Sequence, residues 1–265
     1  MATTSTPVSS ALRPRRGLHP TFVLHDIRRQ ITPQNLIFTV ALPAVLYLAL
    51  FSVVEPSAGV NLPHGNFQAW MMIGIAVYGA SIGTISRAAG ISNEKANGWL
   101  RTIRLSPLGA GGYVASRIIA CQVYAIIPVI VVGILGALTG ARADAVVWLA
   151  GLGVAWLGSA IFSALGLVLG MLLPPEVITH VPGVVMTGLA FLGNIFIPLS
   201  GGLLAVAQVT PLYGIVTLAR YPLTDGYNLD GSHASLAGAL INVAAWFLGF
   251  SFAAIRRFAG ATGRQ

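Results

Sequence analysis

The residues able to do chemistry are few, and they point to docking rather than catalysis. The chain has 7 Asp and Glu, 5 His and a single cysteine. Cys121 lies inside an apolar run with no Cys or His at metal-ligand spacing, so it forms no intrachain disulfide and reads as a packing residue. No H-E-x-x-H metalloprotease motif, G-x-S-x-G nucleophile elbow or G-x-x-x-x-G-K-[ST] phosphate loop occurs. The expectation is no catalytic residue, no metal and no cofactor bound by this chain. The densest charge lies in residues 87–113, whose centre reads Ser92-Asn93-Glu94-Lys95-Ala96-Asn97-Gly98-Trp99-Leu100-Arg101-Thr102-Ile103-Arg104-Leu105-Ser106-Pro107. Ser92 or Asn93 can cap a helix there. Glu94 in its first turn and Arg101 and Arg104 in its last complement the helix dipole, and Pro107 stops it. Trp99, Leu100 and Ile103 give it an apolar side that a solvated loop does not need. Such an element suits contact with a protein partner; the alternative is a helix that packs beneath the rest of the fold.

The elements that must position this loop follow from composition. Of 265 residues, 55% are hydrophobic and 8% charged, with a mean hydropathy of +0.80. Soluble domains carry roughly 25% charged residues. A soluble globular domain, a disordered chain and a collagen-like repeat are excluded, leaving an all-α integral membrane fold. A span needs roughly 20 apolar residues. Six stretches qualify: 36–54, 67–86, 114–139, 145–172, 177–199 and 235–255. The formal net charge of +8 reads as topology rather than nucleic-acid binding, because cytoplasmic loops retain Lys and Arg. With the N-terminus inside, thirteen of the 15 Lys and Arg fall on the inner side; only Arg142 and Arg220 fall outside. Both termini are therefore expected in the cytoplasm.

Residues 1–17 read as a polar, disordered cytoplasmic tail, 18–257 as one permease-like membrane domain and 258–265 as a second tail. Within 18–31, Phe22 and Ile27 lie on an apolar stripe beside Arg28 and Arg29, which fits a helix lying in the membrane interface with its arginines on lipid headgroups. The stretch 203–223 is apolar but broken by Pro211, Gly214 and Pro222. It is expected to form a re-entrant or interfacial hairpin on the outer face. The span interiors offer only mild polar groups, chiefly Gln122, Asn194 and Asn242, which either bond helix to helix or line a path. Ion coupling has little to work with. Gly79/Gly83, Gly136/Gly140 and Gly166/Gly170 have the spacing that lets helix backbones approach.

This order of elements resembles the membrane subunit of ABC type-2 exporter permeases, among them the bacterial daunorubicin-type drug exporters. Glu94, Gly98, Leu100, Pro107 and Leu108 resemble the family's loop pattern, with Asn93-Glu94-Lys95 standing where the family has a denser Glu/Arg cluster. Phe196-Ile197-Pro198-Leu199, Thr210-Pro211-Leu212-Tyr213-Gly214 and Arg220 resemble its outer-hairpin region. The resemblance implies a homodimer, or a pairing with a similar half, in a bacterial cytoplasmic membrane. Two separate nucleotide-binding subunits would bind ATP and Mg. Residues 94–105, including Lys95, Trp99, Arg101 and Arg104, would be a coupling helix seated in that subunit. Pro175 and Glu176 would make a second contact, and the hairpin with Pro198, Pro211, Tyr213 and Arg220 would help close an outer gate. The function so implied is ATP-driven export of an amphiphilic drug or lipid. The alternatives are export of a glycan or lipid-linked polymer by the same fold, a self-sufficient channel or secondary carrier, and a membrane scaffold without transport.

Overall fold

The computed structural model describes residues 23–24, 26–27, 33–53, 61–98, 109–196, 199 and 201–263. It is mostly helical: α1 (Pro33–Val53), α2 (Phe67–Ala89), α3 (Ile91–Ala96), α4 (Ala110–Leu138), α5 (Ala145–Gly158), α6 (Ala160–Leu172), α7 (Pro175–Ile178), α8 (Val181–Leu192), α9 (Gly201–Ala207), α10 (Pro211–Thr224) and α11 (Leu236–Gly263). A two-stranded hairpin, β1 (Asn61–Leu62) and β2 (Gly65–Asn66), precedes α2. Among the described residues, five helical stretches are long and apolar enough to cross a membrane: Phe67–Ala96, Ala110–Leu138, Ala145–Leu172, Pro175–Leu192 and Leu236–Gly260. They fall on five of the six expected spans. The stretch 36–54 falls on α1, whose qualifying apolar part, Thr39–Ser52, is shorter. The expected hairpin 203–223 falls on α9 and α10, bent by 99° and able to count together as a sixth crossing or as a re-entrant loop.

Helix α2 is the axis of the bundle. It is buried along nearly its whole length, and α1, α4, α5, α6, α8 and α10 pack around it. Its glycines explain how so many neighbours fit. A Cβ on Gly79 would lie 2.8 Å from Pro43 of α1, and one on Gly83 2.9 Å from Thr39. From the facing side, Gly166 and Gly170 of α6 abut the Ile85 and Ala89 carbonyls of α2. These glycine pairs therefore serve packing inside one bundle. The Gly136/Gly140 pair divides: Gly136 receives Met72, whereas Gly140 (φ +93°) turns the chain between α4 and α5.

The expected span 145–172 is two helices with a break at Ser159, and the break is furnished with polar partners. Gln122 of α4 donates through Nε2 to the Trp156 carbonyl (2.7 Å), and the Trp156 indole returns a bond to the Gln122 carbonyl (2.7 Å). Ser159 donates to the Trp156 carbonyl (2.6 Å), and Thr84 of α2 donates to the Ser159 carbonyl (3.0 Å). Carbonyls freed by a helix break have no water in an apolar interior, so neighbouring side chains must satisfy them. Gln122 is thus a helix-to-helix residue.

The α2–α6 contact yields a first test. Gly166→Leu forces a side chain into the Ile85 carbonyl, overpacking that costs about 1–3 kcal/mol. It should lower the melting temperature of the detergent-solubilised protein by several degrees. Gly188→Leu, at an exposed position with open space at its Cβ, should leave it unchanged.

Candidate functional site

At one end of the bundle a buried charge network joins three separate chain segments. Arg117, in the second turn of α4, donates through one terminal nitrogen to Asp26 Oδ1 (2.6 Å) and through the other to Glu94 Oε1 of α3 (2.7 Å). Tyr113, one turn earlier on α4, donates its hydroxyl to Glu94 Oε2 (3.3 Å). All four side chains are buried. The Tyr113 ring stacks on Phe258 of α11 at 4.3 Å between centroids, which carries the network to the last helix. Buried charges are tolerated when paired and hydrogen-bonded; here one guanidinium serves two carboxylates.

Helix α3 lies over the end of α6. Ser92 donates to the Leu173 carbonyl (2.6 Å) and Lys95 to the Met171 carbonyl (3.1 Å), satisfying acceptors that the terminus of α6 leaves without intrahelical partners. Ile91, Ser92 and Glu94 face inward, while Asn93, Lys95, Ala96 and Asn97 are exposed. Helix α7, with Glu176 exposed and Pro175 at its first turn, touches α3. The two expected contact elements therefore sit side by side at the triad end.

Three expectations change here. The helix starts at Ile91 without a side-chain cap, because the Ser92 hydroxyl is committed to Leu173. It ends at Ala96 rather than running to Leu105: Gly98 adopts φ +73°, a left-handed conformation glycine reaches without steric cost and one that closes helices. Glu94, expected toward a partner, points inward at Arg117. Asp26, from the segment before the first span, is buried against the same arginine. Sequence spacing did not expose this, since Asp26, Glu94 and Arg117 come from three segments far apart in the chain. Trp99, Leu100, Arg101, Arg104, Pro107, Phe22, Arg28, Arg29, Pro198 and the tail 1–17 lie outside the described residues; Ile27 is helical beside Asp26.

The opposite end is organised around β1–β2 and the bent pair α9–α10. Thr210 caps α10 by accepting from the Tyr213 amide (3.3 Å) and donates to the Ala207 carbonyl (2.7 Å), with Pro211 next. Those bonds fix the bend. Arg220, expected near an outer loop, is instead inside the bundle at 4% exposure. It donates to the carbonyls of Trp70 (3.1 Å), Asn194 (2.6 Å) and Ile195 (3.4 Å). Its guanidinium also lies 3.4 Å over the Trp70 ring, and it makes no salt bridge among the described residues. Gly74 leaves the room this requires. Asn194 holds φ +57° past the end of α8 and accepts from the Leu199 amide (3.0 Å). Asn242 of α11 donates to the Gln208 carbonyl (2.9 Å), and Trp246 to the Val209 carbonyl (2.8 Å), so α11 holds the bend from its other side.

On the rim of this hairpin end, His64 of the β turn joins two helix termini. Its Nδ1 lies 2.9 Å from Asp144, at the start of α5, and its Nε2 3.3 Å from Asp225, past the end of α10. The hydrogen bond to Asp144 foremost, and the charge of Asp225, raise its pKa above the ordinary value of 6.5. Asp230 is held below the ordinary carboxylate value by bonds from the Ser232 hydroxyl and amide.

Two tests follow from the two ends. Arg117→Met strands Asp26 and Glu94 in the interior and should cost about 3–5 kcal/mol, read as a sharp loss of folded protein after solubilisation. Adding Asp26→Leu and Glu94→Met to it should restore most of that stability. His64 binds its proton more tightly in the folded state, so its contribution is full below about pH 6.5 and is lost as pH rises through the raised value. Melting temperature scanned across that window should fall with pH, and His64→Gln should flatten that part of the profile.

No protein-family model matches this sequence, and no curated protein matches it significantly.

Proposed function

We propose that this chain is the membrane-spanning permease subunit of an ATP-driven exporter whose nucleotide-binding subunits are separate chains. The observation that carries this reading is the Asp26–Arg117–Glu94 network beneath α3. An exposed face on α3 (Asn93, Ala96, Asn97) and the adjoining Glu176 of α7 offer a docking platform. The ion pairs clamp the underside of α3 to α4, a helix long enough to cross the membrane. A partner pushing on α3 then moves α4 directly, because a doubly paired buried arginine leaves little slack between them. The absence of a phosphate-loop motif in this sequence is consistent with energy coming from another subunit. On this reading the triad end faces the cytoplasm of a bacterial cell, two permease halves form the path, and ATP and Mg bind in the partner. The bundle's apolar helices favour an amphiphilic drug or lipid-like substrate.

The test uses the full chain co-reconstituted in liposomes with an ATP-binding cassette ATPase subunit from the same genome. ATP should drive export of a fluorescent amphiphile. Asn93→Arg combined with Glu176→Arg alters only the exposed platform. It should reduce ATP-dependent flux roughly tenfold or more, the scale of losing an interface anchor, while leaving the melting profile intact. Gradient-driven flux by the purified chain alone, unaffected by these substitutions, would replace this reading with a self-sufficient channel or carrier.

A further inference from the structure

The two flanks of α11 at the hairpin end differ in chemistry. On one, facing α5, α6 and α10, a groove of about 380 Å3 is lined only by apolar residues and glycine, including Leu157, Ile215, Leu240 and Phe247. On the other, between α10 and the first turns of α11, lies a cavity of about 360 Å3. Gln208, Tyr213, Thr217, His233, Ser235 and Gly238 line it, and no Asp, Glu, Lys or Arg does among the described residues. That volume is within the range of small-molecule sites.

Besides the His233 ring, the polar groups of this cavity are hydroxyls and carboxamides, and several are uncommitted. Tyr213 accepts from Asn228 (3.5 Å), leaving its own proton to donate. Neither the Thr217 hydroxyl nor the Gln208 carboxamide makes a side-chain hydrogen bond among the described residues; at the cavity's inner edge Asn242 donates to the Gln208 carbonyl, while its own carboxamide oxygen has no partner there. Each hydroxyl can both donate and accept. Arg220 lies one turn below Thr217, but it is spent on three carbonyls and the Trp70 ring, so the cavity offers no lysine or arginine to a phosphate. It likewise offers no carboxylate to an ammonium group. Gly238 presents no side chain, and its missing Cβ leaves the entrance open against α11. Beyond the rim, Leu236 and Ile241 of α11 are exposed and apolar, a surface along which an acyl chain can lie.

We infer that this cavity is a binding site for an uncharged, hydroxyl-rich headgroup, a glycosyl or polyol group, of an amphiphile whose chains lie along α11. Paired donors and acceptors at Thr217, Tyr213, Ser235 and Gln208 match hydroxyls, which likewise do both. Burying a phosphate or ammonium without an opposite charge would be unfavourable in the same space. This assignment holds whether or not the chain is a transport subunit.

The test places the full-length protein in phosphatidylcholine nanodiscs with a photoactivatable monoglucosyl-diacylglycerol as probe. Labelling should map to peptides containing residues 208–217 and 233–242. Unlabelled monoglucosyl-diacylglycerol should displace the probe at roughly tenfold lower concentration than phosphatidylglycerol of the same chains, the scale set by two neutral hydrogen bonds. Gly238→Phe fills the cavity, and Thr217→Val with Ser235→Ala removes hydroxyls; each should lower labelling about tenfold. Gly238→Ala should retain it, because a Cβ there meets only Ser235 at an ordinary 3.4 Å. Displacement by free glucose as effective as by the glycolipid supports the same hydroxyl chemistry with a soluble sugar as its source. Equal competition by phosphatidylglycerol, or undiminished labelling in a Gly238→Phe protein of normal melting temperature, overturns the inference.

Discussion

A carbonyl freed from its helix inside an apolar bundle needs a new partner, and this fold depends on meeting that need at each break. The chain breaks at Ser159, after Leu192 and between Ala207 and Pro211. Gln122 and Ser159 itself serve the first break, Arg220 the second, and Asn242 with Trp246 the third. An unserved carbonyl at such depth would cost several kcal/mol, more than a typical core contact returns. Each server comes from a neighbouring helix or from the break itself. The breaks are therefore also the cross-links of the bundle, and loosening one disturbs two elements together.

Arg220 shows how far this goes. Its three carbonyl acceptors and the Trp70 ring replace a carboxylate with dipoles, including those past the C-terminal end of α8, where the helix macrodipole is negative. Arginine suits that position better than lysine because its planar fork reaches several fixed acceptors at once. Arg117 solves the opposite case, in which two carboxylates must enter the interior and one guanidinium admits both. The two buried arginines thus mark the two ends of the bundle, one gathering remote segments through their carboxylates and one gathering backbone carbonyls.

Much of the architecture was legible in the sequence because it rests on local signals. Apolar runs of spanning length located the long helices, and Pro211 marked the bend, whereas Gly214 and Pro222, also expected to break the chain, lie within α10. What was not legible depends on contacts between remote segments. Residues 145–172 read as one uninterrupted apolar run, and nothing local to Ser159 announces a break that Gln122 and Thr84 stabilise from other helices. Glu94 looked like a surface charge because its partner Arg117 lies beyond the loop. The left-handed turn at Gly98 shortened a helix whose charge pattern would have fitted a longer one. A charge count by loop also placed Arg220 outside, since hydropathy alone cannot distinguish an arginine at a helix end from one packed over a tryptophan.

The two ends differ in the kind of rigidity they provide, and that difference bears on movement. At the triad end the links are short, charged and buried, joining α3, α4 and the segment around Asp26 through side chains with few alternative partners. At the hairpin end, His64 reaches Asp144 and Asp225 from an exposed position, where water competes for each bond and exchange is cheap. A displacement of α3 would therefore be passed to α4 before any other helix. The exposed bonds around His64 would yield more readily. The bent pair α9–α10 is held by Asn242 and Trp246 on one side and by Arg220 on the other. Relative motion of α2 and α11 consequently strains this pair before it strains any uninterrupted helix, which makes the bend the natural place for the bundle to change shape.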